Sequence, residues 1–178
     1  MFFDILRKRR SIRSFSNRPL TENEIELLKE AALRSPSSRN IDPWEFIFVM
    51  DTNLLARLSL SKEHGSEFLR GASLGVVVLA DSSLSDVWIE DASIASTYLF
   101  LAAEALDLGA CWIQIRNRTQ SPAQSSASYV RELLCIPPHL EVLSLIAIGP
   151  KGEKRKPLEK EKLKRSKIFL NTYQTKEQ

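Results

Sequence analysis

The segment Asp91–Leu108 constrains the fold most strongly, because it is predicted to be a helix with apolar residues nearly all round. Such a helix has no polar face to give to water, so we expect it at the centre of the protein. Short apolar strands are predicted on either side of it, at Gly75–Ala80 and Ala110–Ile115, and Gly109 is predicted to end the helix. This order predicts helices layered on one sheet.

The rest of the chain continues the alternation of helices and strands. Thr21 and Glu24 form a capping box, which predicts a helix that begins there and ends near Ser35, before Pro36. The other predicted helices are Phe2–Arg9, Leu54–Leu60 and Ser126–Leu134, and the other predicted strands are Phe46–Val49 and Val142–Ile148. Because there is no internal repeat and no linker, we expect residues 1–178 to form a single domain.

The charge is distributed unevenly along the chain, although the net charge is only +3. Residues 1–18 carry six basic side chains and one acidic side chain, and residues 151–178 carry ten basic and four acidic side chains. Residues 19–150 carry nine basic and seventeen acidic side chains. A basic head and tail around an acidic body indicate an anionic partner held at both ends of the chain; the alternative is that both ends are only solvated.

Several classes of chemistry are excluded by what the sequence lacks. The two cysteines supply neither a disulfide framework nor a four-ligand zinc site. No GxGxxG, P-loop, GxSxG or HExxH motif is present. The two histidines are interpreted as surface residues, and Glu90 and Asp91 as charges that complement a helix N-terminus. If the protein is an enzyme, we therefore expect a cofactor to carry the chemistry, with no catalytic side chain and no metal.

The sequence also predicts a cytoplasmic protein without a membrane segment. The first ten residues place charges directly after two aromatic side chains and lack the apolar core of a signal peptide. The longest apolar stretch, Ile94–Ile115, contains Glu104 and Asp107, which argues against a membrane span.

The C-terminal tail, residues 151–178, is basic and then carries an extended apolar segment at Ile168–Tyr173. A short strand in that position has little of its own chain left to pair with. We therefore expect it to extend the sheet of a second subunit, the alternative being a tail that packs on its own domain.

Two segments are candidate binding sites. In Arg9–Phe15, an extended backbone would point Arg9, Ser11 and Arg13 to the same side. Two guanidinium groups and a hydroxyl that converge suit a phosphate dianion, because each guanidinium offers a bidentate pair of donors. The second segment, Ser35–Trp44, is a rigid polar loop that can line the edge of a planar heterocycle, although loops of this composition are also ordinary turns.

Together, in this order and at this spacing, these segments resemble the FMN-dependent nitroreductase family. The resemblance covers nearly the whole chain and is carried by RRSIRSF at 9–15, SPSSRNIDPWEF at 35–46, VVVLAD at 76–81, EDASIASTYLFLAAEALDLGACWIQI at 90–115, and IPP to LIAIG at 136–149. It implies an α+β sandwich of three layers, with a central mixed sheet flanked by helices, and an intertwined homodimer with exchanged chain ends. The length matches the small branch of the family.

The resemblance also implies which residues contact the flavin. The candidates are Arg9, Arg10, Ser11 and Arg13 for the phosphate and ribityl chain; Pro36, Ser37, Ser38, Asn40 and Asp42, from the other subunit, for the flavin edge; Trp112, Ile113 and Gln114 beside the ring; and Lys154, Arg155 or Lys156 returning to the phosphate. Family members often carry Gln where Asp42 stands. A carboxylate there repels the negative charge that develops on reduction, so we expect Asp42 to lower the reduction potential of the flavin.

The activity implied by the resemblance is that of an FMN-dependent oxidoreductase with NADH or NADPH as the electron donor. Its acceptor is an electron-poor small molecule of the nitroaromatic or quinone type, reduced by a ping-pong hydride mechanism. Two alternatives are a non-catalytic FMN-binding protein and a specialised flavin reaction on the same fold. Nucleic acid is not an expected partner, because basic and aromatic residues do not interleave at the chain ends.

Overall fold

The structure, a computed structural model, describes residues 2–173 and contains helices and strands in alternation. The helices are α1 (Phe2–Lys8), α2 (Glu22–Leu33), α3 (Thr52–Leu58), α4 (Trp88–Ala105) and α5 (Ser126–Leu134). The strands are β1 (Trp44–Val49), β2 (Leu74–Asp81), β3 (Leu108–Gln114), β4 (Thr119–Ser121), β5 (Gln124–Ser125) and β6 (Leu140–Pro150). Every helix and strand predicted before residue 150 is present, with ends displaced by a few residues.

The main sheet has the strand order β1-β2-β6-β3, and all neighbouring strands are antiparallel. Where a mixed sheet was expected, the described chain therefore forms an antiparallel one, because β2 and β3 both run opposite to the long strand between them. The register places Val77 opposite Leu145. An isolated parallel bridge joins Ser11 to Ala110 on β3.

Helices cover both faces of the sheet, which confirms the three-layer α+β arrangement. On one face α2 and α4 pack on the sheet through Leu28 and Leu99, and on the other face α3 and α5 pack on it through Leu58 and Val130. All four side chains are fully buried. Successive valines of β2 alternate between the two cores, as the alternation of side chains along a strand requires.

The predicted central helix, α4, packs on the sheet but is not covered on all sides. Ala95, Leu99 and Ala103 are fully buried, whereas Ile94 and Tyr98 keep 39% and 38% of their surface exposed. Within one chain the helix therefore buries only one stripe, and its outer apolar side chains are left for another surface to cover.

The prediction that Gly109 ends α4 is wrong. The helix stops at Ala105, and the turn into β3 passes through Asp107, whose φ is 56°. Gly109 lies within β3, where a Cβ atom would come within 2.7 Å of Ile12 Cγ2. The glycine is needed because Ile12 packs closely on the strand.

The C-terminal tail differs most from its prediction. After β6 it forms short 3-10 turns at Lys160–Lys162 and Arg165–Lys167, and residues 168–173 form no strand. Three of its apolar side chains are largely exposed: Ile168, Leu170 and Tyr173. A strand needs a sheet edge to pair with, and residues 168–173 meet none in their own chain, whereas Lys151 at the start of the tail forms an isolated bridge with Phe15. Exchange of the tail with a partner subunit stays a prediction, and residues 174–178 lie outside the described chain.

Candidate cofactor site

The N-terminal segment that follows α1 lies along the outer edge of β3. Ile12 N donates a hydrogen bond to Ala110 O at 3.0 Å, and the buried Ile12 side chain packs on Gly109. Because side chains alternate along an extended backbone, Ser11 and Arg13 lie on the side opposite to Ile12.

Three of the predicted site residues act on the thiol of Cys111 on β3. Burial raises the pKa of this thiol, while the charge of Arg13, a hydrogen bond to Ser11 and the charge of Arg9 act against the rise. The three side chains therefore lie near β3, but the two guanidinium groups point to different faces of the sheet: Arg9 contacts Phe100 of the core beneath α4, and Arg13 contacts Phe68 of the opposite core. Each guanidinium provides donors for an anion.

Aromatic rings support both of these guanidinium groups. Arg9 Cζ lies 5.8 Å from the ring centroid of Phe100, and Arg13 Cζ lies 5.8 Å from that of Phe68. Contact with a ring face restrains the guanidinium plane and leaves its N–H donors at the rim. The donors are thus partly oriented by the protein itself.

The basic tail begins beside the same segment, so the two basic ends of the chain meet. Glu153 Oε1 accepts hydrogen bonds from Arg13 N at 2.8 Å and from Ser14 N at 3.2 Å. Gly152 N donates to Ser14 O at 2.9 Å. These contacts bring the stretch 154–156, with its three predicted basic residues, next to Arg13.

A cleft of about 560 Å³ lies between the two ends of the chain. Its carboxylates are paired with cations: Glu104 and Asp107 lie 3.1 and 2.9 Å from Lys151 Nζ. Arg10 also lines the cleft and donates a hydrogen bond through Nη1 to the backbone oxygen of Lys156. Five basic and three acidic side chains line the cleft, so its net positive charge is favourable for an anion. The lining residues are Lys8, Arg10, Ile12, Glu104, Asp107, Lys151, Gly152, Glu153, Lys154 and Arg155.

The loop at 35–44 has an unusual backbone. Arg39, Asn40 and Asp42 have φ values of 53°, 58° and 52°. Left-handed backbone costs free energy in residues with a side chain, so contacts must hold this conformation. One contact is local, since Ser37 Oγ donates to Asp42 Oδ1 at 2.6 Å and accepts from Asp42 N at 2.8 Å.

The other contacts to the loop come from α4 and the residues before it. Asp91 is 2% exposed; its Oδ1 accepts from Ser38 N at 2.8 Å and its Oδ2 from Ser85 Oγ at 3.0 Å. Arg39 Nη2 pairs with Asp86 Oδ1 at 3.1 Å. The sequence assigns Asp91 only to the helix N-terminus, whereas the structure also makes it the anchor of the loop.

Within one chain the loop and the arginine segment lie along different parts of α4. Asp91, which holds the loop, is in the first turn of the helix, and Phe100, which Arg9 contacts, is nine residues further on. At 1.5 Å per residue these points are about 13 Å apart along the axis. Over residues 2–173, no hydrogen bond or ion pair joins the candidates at 36–42 to those at 9–13.

The third group of candidates, Trp112, Ile113 and Gln114, lies on β3 at the edge of the sheet. Ile113 is buried in the core, while Trp112 Nε1 donates to Gln114 Oε1 at 3.0 Å. The N-terminal segment covers this edge at Ala110, and no strand of the described chain pairs with it further along. An edge strand points alternate backbone N–H groups away from its ladder, so β3 can offer them to a ligand.

Comparisons with known proteins identify the family of this chain. The sequence matches the nitroreductase family over residues 6–62 and 57–150. A protein of Archaeoglobus fulgidus, named as a candidate NADH dehydrogenase/NAD(P)H nitroreductase, is 38% identical over 151 residues, which cover 82% of this chain and 83% of that protein. A protein of Methanothermobacter thermautotrophicus with the same name is 32% identical over 153 residues, covering 84% and 77%.

A solved structure of similar fold is that of an FMN-dependent nitroreductase from Clostridium difficile, with a TM-score of 0.94 and 39% identity over 96% of this chain and 99% of the other. Among residues 2–173, no helix is long and apolar enough to cross a membrane. The same residues contain no cluster of three or more His, Cys, Asp or Glu side chains that could hold a metal ion. By sequence and by fold, this chain belongs to the nitroreductase family.

Proposed function

We propose that this chain is an FMN-dependent oxidoreductase that takes its electrons from NADH or NADPH. The observation that carries the proposal is the meeting of the two basic ends beside β3, where Glu153 of the tail binds the backbone of the arginine segment and Arg10, Lys154 and Arg155 line one cleft. FMN differs from riboflavin by a phosphate, and these basic residues supply the donors that a phosphate requires. The similarity to an FMN-dependent nitroreductase supports the same assignment.

The described residues match the parts of FMN in three groups. Donors at 9–13, together with a basic residue of 154–156, suit the phosphate and the start of the ribityl chain. Outward N–H groups at 112–114 suit the acceptor atoms of the ring. The polar loop at 36–42, from a partner subunit, completes the pyrimidine edge.

When bound, FMN supplies the redox chemistry by accepting a hydride from the nicotinamide and delivering it to a second substrate. The chain binds and orients the reactants and sets the charge around them. Positive charge at Arg9 and Arg13 stabilises negative charge nearby, whereas the carboxylate of Asp42 destabilises it. No side-chain acid or base is required for this reaction.

We infer that the second substrate is an electron-poor small molecule of the nitroaromatic or quinone type. The names of the relatives, which include NAD(P)H nitroreductases, support this class. A single open face beside the edge strand would serve the nicotinamide and the acceptor in turn. Substrates that share one face must alternate, which makes the mechanism ping-pong.

We also infer that a second copy of the chain completes the site, with exchange of the C-terminal tail. The exposed Ile94 and Tyr98 on α4 and the exposed apolar residues at 168–173 support this inference, because such surfaces are typical of subunit interfaces. The separation of the loop from the arginine segment along α4 supports it as well.

Initial-rate kinetics test the proposed activity. With NAD(P)H and a quinone or nitroaromatic varied together, we expect parallel lines in double-reciprocal plots, as for a ping-pong reaction. A flavin-loaded protein that oxidises NAD(P)H no faster than free FMN would instead identify a non-catalytic FMN-binding protein. Intersecting lines would overturn the ping-pong order.

A further inference from the structure

Glu153 is an acidic side chain within the cleft between the two basic ends. Its side chain is 21% exposed, and both of its carboxylate oxygens are engaged. Oε1 accepts from Arg13 N and Ser14 N at 2.8 and 3.2 Å, and Oε2 lies 2.7 Å from Arg155 Nε. The carboxylate therefore ties the arginine segment to the start of the tail.

The contacts of Glu153 favour its ionised form. The hydrogen bond from Arg13 N lowers the pKa of Glu153, and the hydrogen bond and charge of Arg155 lower it further. An ionised carboxylate that pointed freely into the cleft would repel a phosphate. Here three N–H groups donate to the carboxylate and stabilise its negative charge, which offsets that repulsion.

The residues before Glu153 hold it in this place. Gly152 N donates to Ser14 O at 2.9 Å, and a Cβ on Gly152 would come within 2.7 Å of the carbonyl carbon of Phe15, so the two backbones are in close contact. Lys151 is anchored to α4 through Glu104, at 3.1 Å. This stretch of backbone therefore has little freedom to move away from the arginine segment.

The contact also sets the direction of Arg155. Its Nε is used by Glu153, so its two Nη groups are the donors left to face a ligand in the cleft. A guanidinium that is already held at one side loses less conformational entropy when it binds an anion.

We propose that Glu153 is a positioning residue for phosphate binding, which ties the tail to the arginine segment and aligns Arg155 on the cleft beside Arg10, so that removing its negative charge weakens the binding of a phosphorylated ligand. The proposal rests on the proposed function, in which that ligand is FMN. Charge repulsion alone predicts the opposite, because loss of a carboxylate near an anion would strengthen binding. The sign of the effect therefore separates the two explanations.

The test compares FMN with riboflavin, which has the same ring and ribityl chain but no phosphate. Fluorescence titrations of the apoprotein give dissociation constants for both flavins with the wild type, Glu153→Gln and the control Glu159→Gln, whose carboxylate pairs with Lys162 on the exposed tail. We expect Glu153→Gln to weaken FMN binding about tenfold, the size of one charge-assisted hydrogen bond, and riboflavin binding less than about twofold. The control is expected to change neither constant.

A double-mutant cycle tests the route through Arg155. Adding Arg155→Gln to Glu153→Gln is expected to weaken FMN binding by less than Arg155→Gln does alone, because the guanidinium is already misplaced. If the effects of the two substitutions on FMN binding are additive, Glu153 does not act through Arg155. If Glu153→Gln does not fold, Glu153→Asp takes its place, since it keeps the charge on a shorter side chain. We expect it too to weaken FMN binding more than riboflavin binding.

The outcomes separate this inference from the proposed function. Tighter FMN binding by Glu153→Gln, or an equal loss of affinity for FMN and riboflavin, would overturn the role of Glu153. The proposed function would still stand if the wild type binds FMN more tightly than riboflavin. A wild type that binds neither flavin would remove the proposed function and the inference together.

Discussion

Asp91 Oδ1 accepts a hydrogen bond from the backbone N–H of Ser38 at 2.8 Å, so a buried carboxylate of α4 holds a loop 53 residues earlier in the chain. The loop has left-handed backbone at Arg39, Asn40 and Asp42, a conformation that persists only where its surroundings maintain it. The shape of the loop that we assign to the flavin is therefore set by the helix that packs on the sheet.

Replacing Asp91 by Ala is expected to destabilise the protein by about 2–4 kcal/mol, because the half-buried Ser38 N and the buried Ser85 Oγ lose their acceptor. Denaturant unfolding measures the change. The matched control is Asp86→Ala, which removes an 82% exposed carboxylate that pairs with Arg39. We expect the control to cost less than about 0.5 kcal/mol, and similar losses for both variants would contradict the anchoring role of Asp91.

Replacing Gly109 by Ala is expected to destabilise the protein by about 1–3 kcal/mol, because the added methyl group meets Ile12 at 2.7 Å in a packed core. Thermal or denaturant unfolding measures the loss. Gly71→Ala is the control, since a Cβ atom there has no neighbour within 4 Å. A Gly109→Ala protein as stable as the control would show that the N-terminal segment is not packed on β3 in this way.

The stability of the protein is expected to depend on pH through Glu24. The hydrogen bond from Arg18 lowers the pKa of Glu24 from 4.5 to about 2, and the capping contact with Thr21 adds to this effect. The pKa of Glu24 is lower in the folded state than in the unfolded state. Its ionised carboxylate therefore stabilises the fold in full above the unfolded-state pKa, and this stabilisation is lost as the pH falls from 4.5 through about 2. Urea unfolding at several pH values should therefore show that the free energy of unfolding falls more steeply over this range in the wild type than in Glu24→Gln. Parallel pH profiles would contradict this assignment.

Replacing Asp42 by Gln is expected to raise the reduction potential of the bound flavin. In the proposed site the carboxylate, which accepts a hydrogen bond from Ser37 Oγ at 2.6 Å, would place negative charge at the pyrimidine edge, whereas an amide would not. A spectroelectrochemical titration of both proteins measures the difference. Equal potentials would show that Asp42 does not reach the flavin.

Most helices and strands could be predicted because their signals are local. The capping box at Thr21 and Glu24 starts α2 as expected, and the valine run of β2 forms a buried strand. The role of Gly109 could not be predicted, because its packing partner, Ile12, is distant in sequence. The tail strand at 168–173 stays a prediction for a related reason, since its pairing depends on the edge of a second subunit rather than on its own chain.

The candidate site was predicted through its basic residues and its polar loop, whose composition is distinctive. Its acidic residues were missed, because Asp91 and Glu153 act on backbone N–H groups from distant segments, and backbone leaves no signal in the sequence. An aspartate at the start of an otherwise apolar helix was the one available indication of a buried anchor. Nothing in the local sequence distinguishes Glu153 from an ordinary surface charge.

The visible absorption spectrum of the freshly purified protein, followed by anaerobic addition of NADH or NADPH, tests the central claim most directly. We expect a yellow protein whose flavin bands bleach on addition of the donor and which releases FMN on denaturation. A colourless protein that also fails to take up added FMN would contradict the assignment of the basic cleft to a flavin phosphate.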